Sequence, residues 1–265
     1  MKKYFNKYKK GGSNNILQKE KIDFNKYCKS YDYMPSILPK VKHIYAMGDF
    51  HGDLKLAINM MHKCKTIDKN YDNLVNNNII NEELIMNSNS FSNKDSERLA
   101  KKIVDNLKWL PTETYIVQVG DQIDRCRPKD NTCIDENETF EDEASDITIL
   151  YLMTELNKKA KKKNSAVISL LGNHELMNVL GRMEYVSYRN IKQFSDGNEE
   201  DIDNALENRK YLFQEGKRYS KFLACTRHAA IIIGSNCFVH AGIIIDYIKN
   251  INGMSSGQDS LVNTN

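Results

Sequence analysis

Gly172-Asn173-His174-Glu175 stands directly behind the apolar run 166–171, so an amide, an imidazole and a carboxylate follow the end of a buried strand. An Asn carbonyl is a poor core group and an adequate ligand for a hard or borderline cation, and His holds a proton near neutral pH. Taken alone, the tetrapeptide is equally a turn with a His beside the next helix. It is not alone. Glycine followed at once by aspartate recurs at Gly48-Asp49-Phe50-His51-Gly52 and at Gly120-Asp121-Gln122-Ile123-Asp124-Arg125, and His240-Ala241-Gly242 follows another apolar stretch. Asp49, His51, Asp121, Asn173 and His240 make a mixed nitrogen and oxygen set. Within it Asp121 can bridge two cations of the Mn, Fe or Zn type rather than Ca. Two such ions roughly 3.5–4 Å apart can activate water and clamp a phosphoryl group. Asp124 and His174 remain as an acid pair, and Arg125 offers a planar fork of donors for phosphoryl oxygens.

These residues converge only if each ends a strand of one sheet, because α/β folds gather ligands at the carboxyl ends of their strands. The pattern predicts strands over 41–47, 114–119 and 166–171 and a hairpin of 229–234 with 237–240. It predicts helices over 54–61 capped by Asp53, 96–109, 146–161, 203–214 and 217–224. Residues 1–40 read as a basic, loosely ordered leader, and the domain proper as 41–265. Polar insertions are expected near 66–94 and 130–146.

With 265 residues and 40% hydrophobic content, one domain with one sizeable core is expected. Residues 1–42 carry eleven Lys against three acids, a net of +8, while the whole chain is only +3. That points to a solvated basic arm, and no aromatic-and-basic motif supports nucleic acid as a partner. The six cysteines form no CxxC pair and no signal-peptide pattern precedes them, so they are read as reduced thiols of a cytoplasmic protein. Apolar runs such as 229–233 and 241–245 are far shorter than the ~20 residues needed to cross a bilayer, so no membrane partner is expected.

The four motifs, in this order, resemble the signatures of the calcineurin-like metallophosphoesterases, in the phosphoprotein phosphatase family. Leu176-Met177-Asn178-Val179-Leu180-Gly181 and Phe238-Val239-His240-Ala241-Gly242-Ile243 are similar to the bacterial-like, Shewanella-like branch. The Lys- and Asn-rich character is also similar to versions encoded by protists and large DNA viruses, which would place a viral protein in the host cytoplasm. The resemblance implies an α/β fold with a central β-sandwich flanked by helices in four layers. It also implies a dinuclear centre, with Mn first and Fe or Zn as alternatives. The implied reaction is attack of a metal-bound hydroxide on a phosphate monoester, and the implied partner a phosphoserine or phosphothreonine protein or another phosphoester. It makes Asp49 and His51 ligands of the first metal, Asp121 the bridge, and Asn173 and His240 ligands of the second. Asp124 with His174 become the general-acid pair and Arg125 a phosphate-binding arginine.

The match spans about residues 44–246, and it has two departures. Cys126 stands where the family has Gly, placing a redox-sensitive thiol beside the site. The resemblance also implies a later Gly-His ligand motif and a second arginine after the His240 strand, and the chain stops at Asn265 before either. Arg182 is the best-placed substitute for the arginine, ahead of Arg189 and Arg227, and His228 is first in line for the ligand, although a loop position suits it better. The early stop supports a second reading, a weak or inactive metal-binding regulatory protein or a fragment. Such a chain should bind its second metal weakly and self-associate through an open sheet edge.

Overall fold

The computed structural model describes residues 13–87, 89–129, 132–195 and 201–244. In chain order its elements are α1 (Ser13–Tyr27), β1 (Ile37–Leu38), β2 (His43–Met47), α2 (Leu54–Lys63), α3 (Tyr71–Asn76), α4 (Glu82–Asn87), α5 (Asn93–Asp105), β3 (Thr114–Gln118), α6 (Asp146–Lys161), β4 (Ala166–Leu170), α7 (Asn173–Val179), α8 (Tyr188–Lys192), α9 (Ile202–Phe213), α10 (Arg218–Thr226), β5 (Arg227–His228), β6 (Ala230–Ile233) and β7 (Asn236–Val239).

Two sheets result. β2, β3, β4 and β5 lie side by side, all parallel, and β1, β6 and β7 form a second sheet with β6 parallel to β1 and antiparallel to β7. Alternation along β4 explains how they stack. Val167 joins Met47, Ile116 and the apolar faces of α2, α5 and α6, whereas Ala166, Ile168 and Leu170 turn the other way. There they meet Val117 from β3 and Ile231 and Ile233 from β6, so the sheets pack face to face. A third cluster joins Ile147 and Leu150 of α6 to α9 and α10. The expected mixed α/β architecture with two stacked sheets and flanking helices is present.

The predicted strands and the hairpin appear, and α6 covers the predicted span. Asp53 caps α2 by accepting from Leu56 N–H at 2.7 Å. Several expectations need correction. Residues 13–38 are no loose leader: Ser36 bonds Glu20 of α1, β1 pairs with β6, and Cys28 is joined to Cys225. Residues 1–12 lie outside the described set. The 66–94 stretch is no surface insertion either, since α3, α4 and their connections bury Tyr71, Leu74, Ile80, Ile85 and Phe91. Nor is 130–146 merely a solvated loop, because Asp142, Glu143 and Asp146 are buried. The cysteines are not all thiols: Cys28–Cys225 and Cys126–Cys133 are disulfides, leaving Cys64 and Cys237 free. Among the described residues no helix is long and apolar enough to cross a membrane.

Candidate metal centre

The β2, β3 and β4 ends are laced together by backbone. Phe50 and His51 N–H donate to the Asp121 carbonyl at 2.9 and 3.0 Å, and Gly52 N–H donates to the Gln122 carbonyl at 2.9 Å. The loops then approach so closely that only glycine fits. A Cβ on Gly172 would lie 2.0 Å from Asp121 Oδ1, and one on Gly120, at φ +111°, would lie 2.6 Å from Gly172 N. Glu175 ties the loops from beneath. Its fully buried carboxylate accepts from the N–H groups of Gly172 at 2.7 Å, Asp121 at 3.0 Å and Gln122 at 2.7 Å. Burial pushes the Glu175 carboxyl upward and these three bonds oppose it. His51, Asp121 and Asp124 all adopt positive φ, a local strain that the lacing holds in place.

On this frame Asp49, Asp121 and His240 each bring a ligand atom within 4.8 Å of the others, and so do His51, Asp121 and His174. Asp121 belongs to both groups. Each imidazole is aimed by its other nitrogen. His51 Nδ1 bonds the Ile123 carbonyl at 3.3 Å, leaving Nε2 3.5 Å from Asp49 Oδ2. His240 Nδ1 bonds the Val119 carbonyl at 3.0 Å, leaving Nε2 3.3 Å from Asp121 Oδ2 and 3.0 Å from Asn173 Oδ1. The five sequence-predicted ligand residues are therefore brought together, and their oxygen and imidazole donors around a shared carboxylate fit two divalent cations.

The acid pair is equally well defined. His174 Nδ1 lies 3.0 Å from Asp124 Oδ2. Burial lowers the His174 pKa, but the Asp124 hydrogen bond and charge outweigh it, and the net shift is upward. His51, by contrast, is lowered, first by burial and next by the charge of Arg127. Behind Asp124, Asn178 Nδ2 donates to both carboxylate oxygens at 3.0 and 2.9 Å. Arg209, fully buried on α9, sets Nη2 3.5 Å from Asp124 and 2.8 Å from Asp146 and sends Nε to Asn178 Oδ1 at 3.0 Å. Burial comes first among the causes that raise the Asp146 carboxyl, and Arg209 opposes it.

Arg125 lies over Gly52, with Nη1 3.5 Å from the buried Glu143 carboxylate. Arg182 is not brought to the cluster by any bond: its partner is Glu184, at 3.0 Å through Nε, and its side chain is exposed. His228 sits in β5 rather than in a loop, its ring lining a cavity of about 270 Å³ with Glu20 and Tyr33. Cys126, expected as a thiol, is bonded to Cys133. Asp146, Glu143 and Arg209 were given no role in the sequence, where the only signal for them was an unexplained charge inside a helix or beside its start, and Asn178 was read only as part of the motif that follows Glu175.

No protein-family model matches the sequence. An uncharacterised protein of Acanthamoeba polyphaga mimivirus is 41% identical over 90 residues, 34% of this chain and 36% of that one. Shewanella-like protein phosphatase 2 of Arabidopsis thaliana is 22% identical over 155 residues, covering 58% of this chain and 26% of its own. Shewanella-like protein phosphatase 1 of Plasmodium berghei is 30% identical over 135 residues, 49% and 32% respectively. The matches thus span about a third of the length of these relatives. The fold is similar to the crystal structure of a cold-active protein-tyrosine phosphatase from a psychrophilic Shewanella species. The TM-score is 0.52 at 21% identity, over 83% of this chain and 48% of that one.

Proposed function

We propose, because the chain is a relative of the Shewanella-like protein phosphatases, that it is a phosphatase of calcineurin-like fold that depends on two divalent metal ions. The observation that carries this is Asp121, which stands in both clusters of candidate ligand atoms, Asp49–Asp121–His240 and His51–Asp121–His174, the second of which includes the histidine of the acid pair. Asp49 and His51 with Asp121 would hold one ion, and Asn173 and His240 with Asp121 the other. Bound there, the two cations supply an activated water and positive charge for the phosphoryl oxygens. Arg125 binds those oxygens through its guanidinium fork and is kept in place by Glu143. Asp124 occupies Nδ1 of His174, which leaves Nε2, 4.0 Å from Asp121 Oδ2, on the side of the ligand cluster to give its proton to the leaving oxygen. Protein phosphoserine and phosphothreonine are the proposed substrates.

Metal analysis and p-nitrophenyl phosphate turnover across a Mn titration test this, with phosphoserine, phosphothreonine and phosphotyrosine peptides alongside. Hydrolysis that rises with bound Mn is expected. Metal uptake with no turnover of any of these would replace the enzyme with a regulatory metal-binding protein.

His174→Asn should retain metal and lose ~10²-fold or more of turnover on a poor leaving group. An unchanged rate would remove His174 from proton transfer, whereas an activated aryl ester needs little protonation and discriminates less.

The pH profile follows from the same pair. The working acid is protonated His174, whose pKa lies above 6.5, so kcat should fall as pH rises through that raised value. Asp124→Asn removes the main upward influences, and the alkaline limb should move to lower pH. A limb that stays in place would mean another group governs it.

A further inference from the structure

Among the described residues Arg127 is a cation near this centre that takes no part in the ligand groups, the acid pair or the Arg125 contact. It is exposed, yet it is not loose. Its Nη1 donates to the carbonyls of Asp124 at 3.0 Å and Cys126 at 2.8 Å, which bends the side chain back toward the acid pair. The guanidinium lies over the Tyr185 ring at 5.6 Å, and that ring meets His174 edge-on at 5.2 Å. His174 in turn meets His51 at 4.9 Å, so the order in space is cation, tyrosine, acid, ligand. The charge reaches both imidazoles. Among the described residues no carboxylate lies within 4.0 Å of this guanidinium, and Nε and Nη2 have no hydrogen-bond partner.

A guanidinium with no carboxylate partner among the described residues, close enough to His51 and His174 for its charge to act on both, would be repelled by bound cations unless an anion joins it. Its placement is paid for by the residue before it. Cys126 donates its N–H to the Tyr185 carbonyl at 3.0 Å and is fully buried in the bond to Cys133, with Cα atoms 5.9 Å apart. The backbone carrying Arg127 is thereby fixed both to the strip that bears Tyr185 and across the following turn. A guanidinium with two free donors on a braced backbone is pre-organised for a dianionic phosphoryl group.

We propose that Arg127, stacked on Tyr185 and braced by the Cys126–Cys133 disulfide, is a second phosphate-binding arginine of this centre, complementing Arg125 from the side of the acid pair. This rests on the phosphatase reading above.

The test measures inorganic phosphate binding by calorimetry on the Mn-loaded chain, together with p-nitrophenyl phosphate kinetics. Arg127→Ala should weaken phosphate binding and raise KM by roughly tenfold to a hundredfold, the range of a lost charged hydrogen bond, with a smaller change in kcat. Arg127→Lys should recover part of the binding, since it keeps charge but loses the fork. The double variant Cys126→Ala/Cys133→Ala should shift KM in the same direction at unchanged Mn content. Thiol titration of the unfolded wild type should find two free thiols of six, matching Cys64 and Cys237. If the wild type binds phosphate and Arg127→Ala binds it equally well, the arginine assignment is wrong. Should Arg127→Ala lose phosphate while the double cysteine variant keeps wild-type KM, the brace is wrong. A Mn-loaded wild type that neither binds phosphate nor turns over overturns the phosphatase reading, and this assignment with it.

Discussion

Asp121→Asn is expected to lose metal content and turnover together, the rate falling by more than the ~10²-fold typical of a lost general acid. Among the described residues Asp121 is the one side chain common to both ligand groups, and it is buried at 4% exposure, so under the two-metal proposal its charge serves both positions. An amide is the same size and still accepts the His174 N–H that Oδ1 now takes at 3.0 Å. The loop geometry should therefore survive and the effect should be electrostatic. Metal analysis after desalting, read beside p-nitrophenyl phosphate hydrolysis and a melting curve, separates loss of ions from loss of fold. Full metal occupancy in a folded Asp121→Asn protein would count against a bridging role.

Arg209→Met should cost about 3–5 kcal/mol of stability, the usual penalty for removing one partner of a buried ion cluster. Arg209, Asp124 and Asp146 all have side chains at 0% exposure, and the guanidinium is the cation between the two carboxylates. Met fills much of the same volume against Phe194 and Phe213, so the loss isolates charge from packing. The sign of the pH effect follows. A carboxyl whose folded pKa is raised by burial costs stability that builds up as pH rises from its unfolded to its folded value and is present in full above the latter. Asp146 is already raised, and removing Arg209 raises it further. Urea unfolding should therefore show a deficit that grows as the pH rises through about 7, larger at pH 8.5 than at pH 6, and Arg209→Met/Asp146→Asn should recover part of the loss. A deficit independent of pH would assign the effect to packing alone.

The chemistry was legible because it is written locally. Gly120 before Asp121 and Gly172 before Asn173 mark strand ends, and Asp49 with His51 sits in one turn, so ligand type and element can be read together. α6 was legible for the same reason, an apolar face closed by lysines. What escaped was non-local. Arg209 is 63 residues from Asp146, and nothing in α9 marks it as anything but a solvated helix residue. Cys28 and Cys225 are 197 residues apart, so their pairing has no spacing signature. α3 and α4 are six residues each, too short to establish a period, which is why core residues such as Tyr71 and Ile85 passed for a polar insertion. Low hydropathy in the 1–40 segment likewise concealed β1, whose two residues gain their place from β6 rather than from their own pattern.

The pairing of Ile37 with Ile232 also sets the order in which the molecule can be completed. β1 is made early and has no partner until β6 leaves the ribosome, and the closure entropy of so long an intervening chain must be met before that contact rewards it. Until then the face of the parallel sheet bearing Val117, Ile168 and Leu170 lacks the cover of Ile231 and Ile233. A nascent chain paused before β6 thus carries Asp49, His51, Asp121 and Asn173 but neither His240 nor a sealed interior. Synthesis of the β6–β7 hairpin is the step that both covers this face and delivers the last of the five proposed ligand residues, so the interval before it is the one in which exposed apolar surface calls most for a chaperone.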